Sequence, residues 1–317
     1  MAYMAGNRLP LMIRPSNFLP LALAACIVPS LRAEDFSFDK LKAKARDMAG
    51  KPHAPSPLKL DDVWKNLTYD QHRDIRFKMD SGLWSDQKGP FSIDFFHPGW
   101  TAKEMVEIHE VVDGKSEPLK FDQKLFDYGK NKIPAGTPPP PGYAGWRARC
   151  HLNSADYMDE FLVFLGASYF RAIPANSPYG LSARGLSINS GLPGVPEEFP
   201  VFTEFHLQRP EKDAKSMTAW AILDGDSVAG AYQFTITPGT ETVMDGEAEI
   251  TLRKPVQQLG LAPFSSMYWF GEGTWPNTDT DSVTTRTSAA MSIAKAATAP
   301  AAGPWIAGTD VTYTRTI

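Results

Sequence analysis

Three runs with an apolar or aromatic residue at every second position leave little choice of architecture. Phe199, Val201, Thr203, Phe205 and Leu207 form the first, and Val228, Gly230, Tyr232, Phe234 and Ile236 the second. Ala248, Ile250 and Leu252 form the third. Successive side chains of a strand point to opposite faces, so this spacing assigns one face of each segment to a core. Asp224-Gly225 and Asp245-Gly246 separate the runs, and Asp113-Gly114 follows Val106, Ile108 and Val112. Such pairs favour tight hairpins, because both residues tolerate positive φ. Turn signals about every ten residues between period-two runs predict an all-β chain, folded as a large antiparallel sandwich. With 317 residues, there is room for one large domain or two ordinary ones.

A helical prologue precedes the strands. Phe38, Leu41, Ala45 and Met48 fall at helical spacing, Lys40, Lys42 and Lys44 point away, and Gly50 and Pro52 stop the pattern. His53–Pro57 reads as a linker, and Asp61-Asp62 suits the start of a second short helix. Prolines in Thr137–Tyr143 lack the amide donor that a helix or inner strand needs, which makes that run a rigid loop.

Residues 1–33 read as a secretory signal peptide. Arg8 and Arg14 precede a short apolar run, Phe18–Pro29, and small residues lead to a cleavage point after Ala33. That run is too short to span a bilayer as a helix. An alternative is a lipoprotein signal, Leu23-Ala24-Ala25-Cys26, which would acylate Cys26. With Cys26 in the leader, the mature chain keeps a single thiol, Cys150. Six histidines show no paired ligand spacing, so neither a metal nor a cofactor is expected. A net charge of −4 argues against nucleic acid and anionic membrane, both of which select basic faces.

The stretch Phe164–Pro200 does not read as plain core. Tyr169, Arg171, Tyr179, Arg184, Glu197 and Glu198 crowd into it among turn glycines. Arginines are rarely fully buried unless paired. Rings flanked by charged hydrogen-bonding groups suit a flat polar ligand such as a sugar; a pair of strands with a salt-bridged loop would use the same residues.

FLGASYFRA (164–172), YGLSARGL (179–186) and EEFPVFTEF (197–205) closely resemble the periplasmic glucan biosynthesis proteins OpgG and OpgD, also called MdoG and MdoD. LTYDQHRDIRF (67–77), PFSIDFFHPGW (90–100), LFDYG (125–129) and SSMYWFGEGT (265–274) agree in the same order, so the resemblance covers about residues 36–275. It implies a β-sandwich of the galactose-mutarotase type, here 34–275, and a periplasmic location. It also implies a role in making osmoregulated glucans with a β-1,2-linked glucose backbone. A β-1,2-glucan oligosaccharide is the expected ligand and the inner-membrane glucan synthase the expected protein partner. Some family members are implicated as anomer-inverting β-1,2-glucanases.

Two departures stand out. After Y-W-F-G-E-N-T the family carries an acidic motif, roughly D-D-x-R-P-E-V-H-D-S-D-G-L, holding its proposed general acid. Here Gly273 replaces the Asn, and residues 275–300 read WPNTDTDSVTTRTSAAMSIAKAATAP. The chain also stops at Ile317, ahead of the family's C-terminal immunoglobulin-like domain. The Thr- and Ala-rich stretch 276–317 is therefore expected to be a divergent tail that does not continue the sheet. A shifted reading frame near Asp279 would produce it, and sequencing the encoding DNA checks that origin.

The carboxylates available for glycoside chemistry are Glu197, Glu198, Glu272, Asp279 and Asp281. Adjacent strand residues face opposite ways, so one of Glu197 and Glu198 would face a ligand while the other pairs with Arg184 or Arg171. Asn189 stands where relatives often carry Asp, and an amide cannot accept a proton as a base. Glucan binding is the reading the residues favour. Tyr169, Tyr179, Trp220, Tyr268 and Trp269 would stack on pyranose faces, and Arg171, Arg184 and Glu272 would meet hydroxyls. The alternatives are an inverting endo-β-1,2-glucanase and an inactive truncated product.

Overall fold

In the computed structural model, the described residues are 34–87, 89–177, 181–265 and 310–316. The alternating runs pair edge to edge in one eight-stranded sheet. With strands numbered in chain order, its sequence across the sheet begins β1 (Glu34–Asp35), β5 (Lys115–Pro118), β4 (Glu107–Val112) and β12 (Val201–Gln208). It continues with β13 (Met217–Gly225), β14 (Val228–Thr237), β15 (Val243–Leu252) and β18 (Asp310–Thr316). A six-stranded sheet runs β17 (Phe264–Ser265), β10 (Ser182–Arg184), β9 (Tyr169–Ala172), β8 (Asp159–Leu165), β7 (Gly145–Cys150) and β3 (Ser92–Phe96). Two ribbons complete the strands: β2 (Arg76–Phe77) with β6 (Phe126–Asp127), and β11 (Leu186–Ile188) with β16 (Leu259–Leu261). The all-β sandwich expected from the alternation is the fold observed. Its pairing is antiparallel except between β4 and β12. There the chain leaves the large sheet after the β4–β5 hairpin, builds most of the small one and returns parallel to β4, as a crossover requires.

The core lies between the sheets and is largely aromatic. Across the small sheet, Phe95, Trp146, Phe164 and Phe170 stand in register, and all four are buried. Trp146 and Phe164 stack with centroids 4.9 Å apart, and Phe205 meets both rings from the large sheet. Offset and edge-on ring pairs of this kind add to the area they bury.

Helix α1 (Phe38–Ala49) covers the other face of the large sheet. Leu41 and Ala45 pack on Ile222 and Ala231, as the helical spacing predicts. The Ser37 hydroxyl caps its start, accepting from the Lys40 amide at 3.3 Å. Removing that acceptor should cost about 1 kcal/mol. Ser37→Ala is thus expected to lower the urea midpoint of the whole domain modestly, and an unchanged midpoint would show the cap contributes nothing. At the far end Arg253 donates to the carbonyls of Met48 and Lys51 while paired with Asp224 at 2.7 Å, tying helix to sheet. Two further short helices, α2 (Asp62–Lys65) and α3 (Tyr69–Asp74), follow the linker.

Three sequence expectations need correction. Asp245-Gly246 lies inside β15 rather than at a turn; the connection is made before it, between Thr237 and Val243. The run from Phe199 to Leu207 does not keep one face, because a bulge between Phe202 and Glu204 shifts the phase. Phe202, Phe205 and Leu207 are buried, whereas Phe199 is 48% exposed. Finally, the stretch 276–317 does contribute to the sheet, since β18 pairs antiparallel with β15 from Asp245↔Thr316 to Thr251↔Asp310. Its residues, Asp-Val-Thr-Tyr-Thr-Arg-Thr, are rich in the β-branched and aromatic types that favour strands.

Candidate functional site

The outer face of the small sheet is polar because the period that buries Phe164 and Phe170 turns their neighbours outward. Asp94, Arg147, Val163 and Arg171 form a row across β3, β7, β8 and β9. Asp94 accepts from Arg147 Nε at 2.9 Å and from Arg149 Nη2 at 2.8 Å, and Arg147 also reaches Glu160 at 3.1 Å. Tyr169 shares the face of Arg171 on β9, and Arg184 pairs with Tyr169 across the ladder.

Arg184 is the centre of this face. Its Nη1 donates to Glu197 Oε1 at 2.5 Å, and the Ser190 hydroxyl donates to the same oxygen at 2.6 Å. The guanidinium carbon lies 5.1 Å from the Tyr169 ring centroid and 4.7 Å from that of Phe199, within cation–π range of both. The Ser190 hydrogen bond and the Arg184 charge hold the Glu197 carboxyl below the ordinary carboxylate range. Glu197 is therefore ionised at neutral pH and can accept hydrogen bonds or a proton, but it has no proton to give.

Glu198 turns the other way. Its backbone amide donates to the Ile188 carbonyl at 3.1 Å, and its carboxylate accepts from the Ser227 amide at 2.9 Å. The expected divergence of the two glutamates is what the backbone produces, with Glu197 on Arg184. Asn189 has φ 55° and uses its side-chain oxygen to accept from the amides of Gln257 and Gln258, at 3.0 and 3.1 Å. That oxygen organises a turn.

The structure brings together Tyr169, Arg171, Arg184 and Glu197, and adds Ser190 and Phe199, which sequence reasoning did not single out. Phe199 was hidden by its place in an apparent strand pattern, and Ser190 carries no local signal. Trp220 does not join them. It lies under α1 beside Phe36, with centroids 4.8 Å apart, and donates to Gln233 at 2.7 Å. Its strand position selects the helix-covered face, opposite the one that Ala219 and Ala221 present to the main core. Tyr179, Tyr268, Trp269, Glu272, Asp279 and Asp281 lie outside the described residues, as do the signal peptide and Cys26. Among the described residues, no cluster of three or more His, Cys, Asp or Glu side chains could hold a metal ion.

Fold and face together define an all-β sandwich whose smaller sheet presents an arginine within cation–π range of two rings. Residues 36–298 match the family described as periplasmic glucan biosynthesis protein, MdoG. The chain is 44% identical over 237 residues to the glucans biosynthesis protein G of Ralstonia nicotianae, covering 75% of this chain and 47% of that protein. It is 42% identical over 268 residues to the protein of the same name from Rhodopseudomonas palustris, covering 83% and 51%. With the glucans biosynthesis protein D of Stenotrophomonas maltophilia it shares 40% identity over 271 residues, 80% and 50% of the two chains. This chain belongs to the periplasmic glucan biosynthesis protein (MdoG) family. It spans about half the length of the curated relatives it matches. No helix among the described residues is long and apolar enough to cross a membrane.

Proposed function

We propose that this protein serves glucan biosynthesis in the periplasm by binding the β-1,2-glucan backbone on the outer face of its smaller sheet. The Arg184 arrangement carries the reading. The guanidinium lies within cation–π range of two rings and pairs with Glu197 through Nη1, which leaves its Nη2 beside the exposed ring of Phe199. A pyranose offers an apolar C–H face to such a ring and hydroxyl acceptors to such a donor. The group is pre-organised, so little ordering cost falls on binding.

Calorimetry with linear β-1,2-glucan tests this. Arg184→Lys keeps the charge but loses the planar fork and the stacking, and should weaken binding about tenfold. Unchanged affinity would exclude Arg184 from the site. Inverting hydrolysis needs a protonated acid about 6.5–9.5 Å from a base, and among the described residues the Arg184 cluster offers only an ionised carboxylate. Incubation with glucan should accordingly release no new reducing ends. Their appearance would show β-1,2-glucanase activity, and the anomer and length of the released products would then decide whether it is an inverting endo-β-1,2-glucanase.

A further inference from the structure

A cleft of about 820 Å³ opens between residues 51–58, residues 103–107 and the rims of β12 and β13. Clefts of about 300–1,000 Å³ are typical of small-ligand sites. Glu198 and Phe199 line it. Phe199 therefore belongs to two surfaces, since the same ring carries the Arg184 guanidinium. The β12 bulge creates this continuity. With Phe202 largely buried, Val201 and Thr203 line the cleft beside it, next to Phe199.

The cleft's charges indicate what it can hold. In its wall the buried carboxylates of Glu204 and Asp224 are neutralised by the exposed Lys44 and the buried Arg253, so those carboxylates are structural. Glu104, Glu107, Glu198 and the exposed Asp226 also line the cleft, together with Lys103 and with Lys51, whose ammonium pairs with Asp47. An anion would meet four carboxylates, and a cation would meet the two lysines. An uncharged polyhydroxylated ligand uses both, because its hydroxyls donate to carboxylates and accept from ammonium groups.

We infer that this cleft is a second subsite for the same neutral saccharide, and that a glucan bound at Arg184 crosses Phe199 and continues into it. The inference rests on the reading of the Arg184 face as a glucan surface. Two linked subsites raise affinity for a ligand long enough to reach both.

Calorimetry with an unsubstituted β-1,2-linked disaccharide and decasaccharide separates the two ideas. The wild-type protein should bind the decasaccharide at least about tenfold more tightly than the disaccharide. Thr203→Trp, which fills the cleft, should remove that advantage and leave disaccharide binding unchanged. The double substitution Lys103→Ala and Glu104→Ala, at exposed positions, should reduce the advantage and serves as the second test if Thr203→Trp does not fold. Equal affinity for the two lengths, or a full length advantage in folded cleft variants, would overturn the second subsite. Failure of the wild-type protein to bind either length would instead overturn the Arg184 reading, and the subsite with it.

Discussion

Asp94→Ala should lower the unfolding free energy by about 3–5 kcal/mol, the usual cost of removing one partner from a buried ion pair. Asp94 is 1% exposed and holds two arginines, with Arg149 itself 6% exposed. The substitution leaves that guanidinium in a low-dielectric setting with the Met79 carbonyl and the Ser92 hydroxyl as its remaining partners. Neither supplies a countercharge. The space beside the carboxylate is also closed, because a Cβ on Gly82 would stand 2.2 Å from Ser92 Oγ and 3.0 Å from Asp94 Oδ1. Water thus has little room to replace it. Asp94→Asn retains an acceptor but no charge and should lie between wild type and Ala. Urea unfolding of the three proteins gives the order, and a loss below about 1 kcal/mol for Asp94→Ala would mean the arginines find other partners.

This network was not legible in the sequence. Asp94 sits in Ser-Ile-Asp-Phe-Phe, and Arg147 and Arg149 in Gly-Trp-Arg-Ala-Arg-Cys. Both segments look like half-exposed strands, and only the register of β3 against β7 puts charge opposite charge where the outer face is locally buried around Asp94. The sandwich itself was legible, because alternation over several strands is a local property repeated many times. The Arg184–Glu197 pair was legible as one of two choices, since adjacent carboxylates must diverge. What local pattern could not show were events that break a period. The β12 bulge exposes Phe199 and makes its ring part of the site. Asp245-Gly246 is carried straight through β15, where pairing with β14 outweighs the turn preference of the dipeptide. Trp220 was misplaced for a related reason. An aromatic at a strand position reads the same whether its face meets a ligand or a helix, and α1 covers that face from far away in the chain.

A second large effect is expected on acidification, and it comes from a histidine remote from the Arg184 face. His97 is 4% exposed and ringed by Trp64, Phe121, Phe126 and Tyr128. Its Nδ1–H donates to the Pro98 carbonyl at 2.7 Å, and its Nε2 accepts from the Tyr128 hydroxyl at 3.2 Å. That arrangement satisfies the neutral ring. Burial drives its pKa down to about 4, against the opposing pull of the Pro98 carbonyl, and nearby His72 adds to the fall. Such a histidine takes its proton first in the unfolded chain. Stability is full above the unfolded value of about 6.5 and is lost as pH falls toward 4, by about 3 kcal/mol in total. His206 is displaced in the same direction by burial, so it deepens the loss. Glu204 acts in a lower window. Burial alone would raise its pKa, but the His206 hydrogen bond and the Lys44 ammonium bring it to about 2. Its contribution persists above about pH 4.5 and disappears only as pH falls from there toward 2. Urea midpoints measured from pH 7 downward should therefore fall in two stages. His97→Asn keeps a donor for Pro98 and cannot titrate, so it should flatten the upper stage while leaving the lower one. An upper stage as steep in the variant as in wild type would show that His97 is not its source.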